Sequence, residues 1–146
     1  MPQFARPSVD TIIDNWQTQA GGTTNLFQTI DESSADDADY IRSQLTPTAD
    51  VYVTKLSSVV DPVSSTGHVL RYRYGKDSSA GDQIDIVVQL RQGYVNESSM
   101  GTLIASATHT NAAVFPTAGS ITLSGAEADA ITDYANLYVR VTANKP

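Results

Sequence analysis

Strict alternation of apolar and polar side chains constrains the fold of this chain more than any other feature. In the segment that starts at His68, the residues Leu70 and Tyr72 fall on one side of an extended backbone, while Arg71 and Arg73 fall on the other. A period of two is typical of a half-buried β-strand. The pattern recurs between residues 84 and 90, with four inward positions: Ile84, Ile86, Val88 and Leu90.

Shorter strand patterns, separated by turn residues, fill most of the remaining sequence. The predicted strands span residues 26–30, 40–41, 51–60, 68–74, 84–90, 103–109, 120–123 and 137–142. Only 17% of the residues are charged, and the abundance of Ser, Thr and Val favours strands over helices. The sequence therefore predicts an all-β chain folded as an antiparallel β-sandwich. About eight short strands with long connections favour a jelly roll.

One short helix is predicted near residues 125–132. The sequence Ser124-Gly125-Ala126-Glu127 has the spacing of a capping box. In that motif the serine hydroxyl accepts from the backbone N–H three residues later, and the glutamate carboxylate reaches back to the serine N–H. Ala128 and Ile131 would lie on the buried side of this helix.

Residues 1–24 differ from the rest and are predicted to form an N-terminal arm, with the sandwich domain spanning residues 25–146. The apolar residues at 9, 12, 13 and 16 have a spacing that suits one or two helical turns. Such a segment either packs back on its own domain or docks as an extended arm on a neighbouring subunit, and the sequence leaves both open. The candidate docking residues are Phe4, Val9, Ile12, Ile13 and Trp16.

Charge and composition limit the partners. The net charge of −7 repels phosphate backbones, so nucleic acid is not expected as a partner. No run of about 18 apolar residues occurs, so no membrane partner is expected either. The chain contains no cysteine, which excludes disulfides and thiolate metal sites.

Two groups of side chains are candidates for ligand binding. Tyr94 lies in a predicted loop, where an exposed ring could stack on a sugar. Several acidic residues between positions 31 and 39 offer oxygen ligands for calcium, although their spacing does not match an EF-hand loop. The weak calcium candidates are Asp31, Asp36, Asp37 and Asp39. A solvated acidic loop is the default interpretation, and no cofactor is expected.

No recognisable catalytic frame occurs in the sequence. The two histidines, His68 and His109, sit at strand ends and belong to no motif. The Gly-x-Ser-x-Gly turn of a serine hydrolase is absent, as is a His-Glu-x-x-His zinc motif. The sequence therefore predicts a structural or binding module, not an enzyme.

Four blocks, taken together, resemble small structural proteins encoded in tailed-phage genomes and prophages. They are residues 29–32 with 36–41 (TIDE and DDADYI), residues 61–62 with 65–73 (DP and STGHVLRYR), residues 88–93 (VQLRQG) and residues 130–141 (AITDYANLYVRV). The resemblance spans residues 25–142, and its block order is similar to jelly-roll sandwiches of the galactose-binding or carbohydrate-module type. Residues 1–24 lie outside it.

The resemblance implies a virion component without catalytic residues. Its implied role is a capsid decoration or cement protein, with a head fibre or a tail part as the other virion positions. The implied partner is the major capsid protein or another virion protein, with a homo-oligomer as an open alternative. The implied location is the capsid surface, after synthesis in the host cytoplasm. The alternative function is a carbohydrate-binding module on a virion or cell surface.

Overall fold

The computed structural model describes residues 1–146 and is built mainly from β-strands. The strands are β1 Pro7–Ile13, β2 Gln17–Thr18, β3 Ile41–Arg42, β4 Thr48–Leu56, β5 Val69–Tyr74, β6 Asp85–Gln92, β7 Thr102–His109, β8 Thr117–Thr122 and β9 Leu137–Asn144. A 3₁₀-helix spans Leu26–Thr29, and one α-helix, α1, spans Gly125–Asp129. No helix of the structure is both long enough and apolar enough to cross a membrane.

Five antiparallel strands form the main sheet, in the order β1-β4-β9-β6-β7. The antiparallel pair β5-β8 packs against its inner face, because Leu70 and Ile121 contact the core that contains Leu90 and Ile104. Beside that pair, Leu26 and Trp16 cover the same face. The predicted all-β sandwich is therefore confirmed, whereas the finer assignment to a jelly roll stays a prediction.

The alternation that predicted β6 corresponds to the observed burial. Ile86, Val88 and Leu90 are buried between the two layers, while Ile84 is half-buried just before the strand begins. On the opposite face of the main sheet, here called the outer face, Gln89 is paired with Arg140 of β9. The period of two thus identified both the strand and the side that it buries.

Residues 26–30 do not form the predicted strand. Leu26–Thr29 is a 3₁₀-helix that starts after Asn25, whose φ of 54° turns the chain sharply. The carboxylate of Asp10 accepts hydrogen bonds from the backbone N–H groups of Leu26 and Phe27, both at 2.8 Å. This contact from a distant strand supplies the backbone partners that a sheet would otherwise provide.

The helical turn suggested for residues 9–16 is also wrong, because residues 7–13 are the edge strand β1. Two register shifts against β4 place Val9 opposite Lys55 and Ile12 opposite Val53. An extra residue in a β-bulge lets side chains three positions apart share one face. The spacing from 9 to 12 therefore comes from a bulge. Ile13 and Trp16 lie on the inner side, where Trp16 packs against Tyr52.

The predicted capping box is present. Ser124 Oγ accepts from Glu127 N–H at 3.3 Å, and the Glu127 carboxylate accepts from Ser124 N–H at 2.7 Å. The helix ends at Asp129, earlier than predicted, although Ile131 is still buried in the main core. The loop that follows is held by Gln92, whose side-chain oxygen accepts from the N–H groups of Thr132 and Asp133.

Candidate functional site

An apolar groove opens at the end of the sandwich where β4 stops and β5 starts. Its volume is about 560 Å³. We call residues 1–6 the N-terminal segment. Its residues 1–5 form one wall together with Val59, Val60 and Pro62, and residues 66–71 with Tyr134 form the other. The groove reaches the main hydrophobic core, which supplies its floor: Leu56, Leu90, Leu123, Ile131 and Leu137.

Polar contacts fix the N-terminal segment beside the connection from β4 to β5. The Gln3 side chain donates to the Val60 carbonyl at 2.8 Å and accepts from the Val60 N–H at 2.7 Å. Arg6 is held in the same way by Ser57, whose N–H donates to the Arg6 carbonyl at 2.7 Å while its hydroxyl accepts from the Arg6 N–H. The chain ahead of β1 therefore forms a defined wall of the groove.

Large apolar side chains remain uncovered where this wall meets solvent. Phe4 is 64% exposed, Val60 is 73% exposed, and Met1 is fully exposed. We call these three residues the apolar rim. The Arg6 guanidinium lies 5.5 Å from the centre of the Phe4 ring and holds that ring by a cation–π contact. All three residues line the groove, and exposed apolar side chains beside a concave apolar surface make this the candidate binding site.

One polar pair lies within the wall formed by residues 66–71 and Tyr134. His68 Nε2 and Tyr134 Oη are 2.8 Å apart and share a hydrogen bond. Burial raises the pKa of the Tyr134 hydroxyl, and the nearby carboxylates of Asp61 and Asp129 raise it further. The other ring nitrogen of His68 is buried without a partner. With one His68 nitrogen bonded to Tyr134 and the other buried, His68 adds little polar surface to a groove that is lined mainly by apolar side chains.

The five arm residues predicted from the sequence separate into different environments. Phe4 belongs to the apolar rim, and Val9 is exposed on the outer face near the sheet edge. Ile12 packs with Val53, while Ile13 packs against the cluster that contains buried Trp16. Only Phe4 and Val9 are therefore placed to contact a partner. No local sequence pattern predicts that Phe4 and Val60 lie beside the same groove. The predicted strand at residues 51–60 instead includes Val60 in a sheet.

Tyr94 does not present an exposed ring. It is only 3% exposed and packs with Val51 and Val53 on the outer face of the main sheet. Its hydroxyl donates to Glu97 at 2.8 Å, and Glu97 also binds Arg140 of β9. The hydrogen bonds from Arg140, with a smaller contribution from the Tyr94 hydroxyl, lower the pKa of Glu97 although partial burial opposes the shift. The prediction that Tyr94 offers a sugar-stacking surface is therefore wrong.

The acidic residues between positions 31 and 39 point to separate partners. Asp37 forms a salt bridge with Arg73 at 3.2 Å, and Asp39 accepts from the Gln19 amide at 2.7 Å. Asp36 accepts from the N–H of Ala38 within its own turn. Three or more acidic, histidine or cysteine side chains do not gather anywhere in the structure. Asp31 and its neighbours thus lack the convergent oxygen set that calcium requires.

His109 lies in an aromatic cluster away from the groove. Its Nε2 and the Tyr72 hydroxyl are 2.8 Å apart, and its ring stacks on Tyr74 with centroids 3.8 Å apart. Burial lowers the pKa of His109. Since β5 carries both tyrosines and β7 carries the histidine, the cluster joins the two layers of the sandwich.

Comparison of the chain with protein-family models, with curated proteins and with solved structures gives no match.

Proposed function

We propose that this chain is a virion structural protein that decorates a phage capsid by docking its apolar groove on the shell. The observation that supports this proposal best is the apolar rim of Met1, Phe4 and Val60 beside a groove of about 560 Å³. The major capsid protein is the proposed partner. An apolar segment of that protein would fill the groove and cover the rim.

The energetics of such a contact suit a cement role. Full burial of one large apolar side chain contributes about 1.5–3 kcal/mol, and about 1.4 kcal/mol changes an affinity tenfold. Covering Phe4 and Val60 would therefore raise the affinity for the shell substantially. Many copies on one capsid would then link neighbouring capsomers by added interface area.

The charge of the chain is compatible with a position on the outer surface of the capsid. A net charge of −7 would be repelled by packaged nucleic acid inside the shell. The same charge keeps a protein soluble when it is made at high copy number in the host cytoplasm before assembly. The role proposed here is mechanical and requires neither catalysis nor a cofactor.

A carbohydrate-binding module is the competing function, and the structure offers less in its support. Its candidate residue, Tyr94, is buried beneath the loop that carries Glu97. The exposed ring nearest to a concave surface is Phe4, which has no polar hydrogen-bonding groups of its own. A sugar site requires several polar groups that converge on hydroxyls.

Quantitative mass spectrometry of purified virions tests the proposal. Virions of the phage that encodes this chain are banded on a density gradient, and the chain is quantified against the major capsid protein. A cement role gives a fixed ratio that remains constant through repeated banding. Absence of the chain from the purified particles, or a ratio that falls with each banding step, would contradict the proposal.

The attachment site is then tested by removing residues 1–5. A deletion of residues 1–24 is unsuitable, because it would remove strand β1 and buried Trp16. The shorter deletion removes Met1, Phe4 and the Gln3 contact but leaves every strand in place. We expect a folded protein, verified by circular dichroism, that no longer binds particles.

A further inference from the structure

The outer side of edge strand β7 pairs with no other strand, and its residues 106–109 extend beyond the buried Ile104 and Ala105, which pack with Ala128 of α1. Strand β7 pairs only with β6, and no other segment forms a backbone hydrogen bond with residues 102–109. Its sequence, TLIASATH, contains no proline, no glycine, no acid, no lysine and no arginine. One register shift lies near its start, and residues 105–109 continue without another. Such an edge can accept a further strand.

The opposite edge of the same sheet is protected. Strand β1 contains Pro7 and has two register shifts against β4. The Asp10 side chain is occupied by the N–H groups of Leu26 and Phe27. Prolines, charges and bulges are the features by which natural proteins block strand addition. A head-to-tail pairing of β7 with β1 of another molecule is therefore disfavoured.

We infer that β7 is the self-association surface of this protein, and that its occupant is β7 of a second copy. Two antiparallel β7 strands related by a two-fold axis would continue the main sheet of one copy into that of the other. A two-fold interface uses the same patch on both partners. β7 is the one unprotected edge of the main sheet, and it meets that requirement without any other segment. The strands of the β5-β8 pair each have an unpaired edge too, but β5 carries Arg71 and Arg73, and β8 contains Gly119.

Charge favours contact between copies at this edge. Each copy carries a net charge of −7, so most approaches between two copies are repulsive. The absence of acids, lysine and arginine from β7 makes this edge a neutral strip. Leu103, which is 47% exposed, lies on it. Pairing of two copies would cover part of that apolar side chain.

The two-fold axis places one residue of β7 directly opposite the same residue of the second copy. In a continuous antiparallel sheet, directly opposed residues point to the same face. A register centred on Ser106 puts its exposed side chain opposite that of the second copy on the outer face, where Ser106 is paired with Gln89 of β6. A charged side chain at this position would therefore meet its own copy.

Sedimentation velocity of the isolated full chain tests the inference, and no virion is needed. We expect wild-type protein to sediment as a dimer at high micromolar concentration. Ser106→Lys and Ser106→Asp should each be monomeric, because like charges would face each other across the axis. Mixing the two variants should restore a dimer, since one lysine then faces one aspartate. Asp14→Lys, just after the protected β1 edge, changes the net charge more than Ser106→Lys does; it is the control and should remain dimeric.

Several outcomes overturn the inference. The first is a wild-type protein that is monomeric up to millimolar concentration. The second is an Asp14→Lys variant that dissociates as Ser106→Lys does, and the third is a mixture of the Ser106 variants that stays monomeric. Circular dichroism of each variant confirms that the fold is intact, because Ser106 is exposed and its substitution leaves the core unchanged. Since the groove lies elsewhere, dimerisation and particle binding can fail separately.

Discussion

The Gln3 side-chain amide makes both of its hydrogen bonds to the backbone of a single residue, Val60. Gln3 Nε2 donates to the Val60 carbonyl at 2.8 Å, and Gln3 Oε1 accepts from the Val60 N–H at 2.7 Å. The two residues are 57 positions apart in the chain. This double contact holds the N-terminal segment against the connection from β4 to β5, and it brings Phe4 and Val60 into one apolar rim.

Replacement of Gln3 should loosen this rim without unfolding the protein. Each hydrogen bond contributes about 0.5–1.5 kcal/mol, so we expect Gln3→Ala to accelerate exchange of the Val60 amide roughly tenfold. Gln3→Glu can still accept from the Val60 N–H but cannot donate to its carbonyl, and it should give a smaller effect. Hydrogen exchange followed by NMR measures both, and an unchanged Val60 rate in Gln3→Ala would contradict the role of Gln3.

Asp10 should be among the most important polar residues for stability. Its carboxylate accepts from two backbone N–H groups and from the Tyr52 hydroxyl at 2.7 Å. Burial raises the pKa of Tyr52 strongly, and the Asp10 carboxylate adds to that shift, so the hydroxyl remains a donor. A buried donor that loses its acceptor costs about 1–3 kcal/mol.

We therefore expect Asp10→Ala to lower the free energy of unfolding by roughly 3 kcal/mol. Asp14→Ala removes an acid from the same segment, and the Asp14 side chain is exposed and makes no hydrogen bond. Urea denaturation of both variants gives the comparison. Equal losses in the two variants would show that Asp10 has no special role.

Loss of the capping box should also be measurable. Ser124→Ala removes the acceptor for the Glu127 N–H, and such changes typically cost about 1 kcal/mol. Because Ala128 and Ile131 pack in the main core, the loss should affect global unfolding. Ser120→Ala, at an exposed position in β8, is the control and should change stability little. Equal stability of the Ser124 variant and wild type would contradict this expectation.

The stability of the protein should fall as the pH drops below the ordinary pKa of histidine. Burial lowers the pKa of His109 from its ordinary value of 6.5, so the unfolded chain binds a proton at a pH where the folded chain does not. The contribution of His109 to the free energy of unfolding therefore decreases from about pH 6.5 down to the pKa of His109 in the folded protein, and it is constant below that pH. His109→Gln, which can still accept from Tyr72, should remove this part of the pH dependence.

An NMR titration of the His109 ring checks the cause directly. The expected result is a pKa below 6.5, with urea denaturation at several pH values showing the matching loss of stability. A pKa at or above 6.5 would refute the assignment of this pH dependence to His109.

Local patterns predicted much of the sheet but little of the site. The period of two in residues 84–90 located β6 and its buried face, and the Ser124 to Glu127 spacing located α1. Both signals depend on residues close in sequence. By contrast, Leu26–Thr29 was mistaken for a strand because the Asp10 carboxylate that holds it comes from a different strand.

The candidate surface depends on contacts that no local pattern encodes. Phe4 and Val60 line the same groove because Gln3 binds the Val60 backbone, whereas the strand prediction extends β4 through residue 60. Tyr94 was predicted as an exposed loop residue, yet Glu97 and Arg140 hold its loop down on the outer face. Bulges in β1 gave Val9 and Ile12 a spacing that resembles a helix.

Binding to undecorated particles tests the central claim most directly. Virions from a phage that lacks this gene are titrated with wild-type protein, with Phe4→Ser and with Leu45→Ser, which removes an 89% exposed apolar side chain near the opposite end of β4. We expect saturable wild-type binding, a roughly tenfold or greater loss for Phe4→Ser, and no loss for Leu45→Ser. Equal binding by Phe4→Ser and wild type, or no binding by wild type, would contradict docking through the apolar rim.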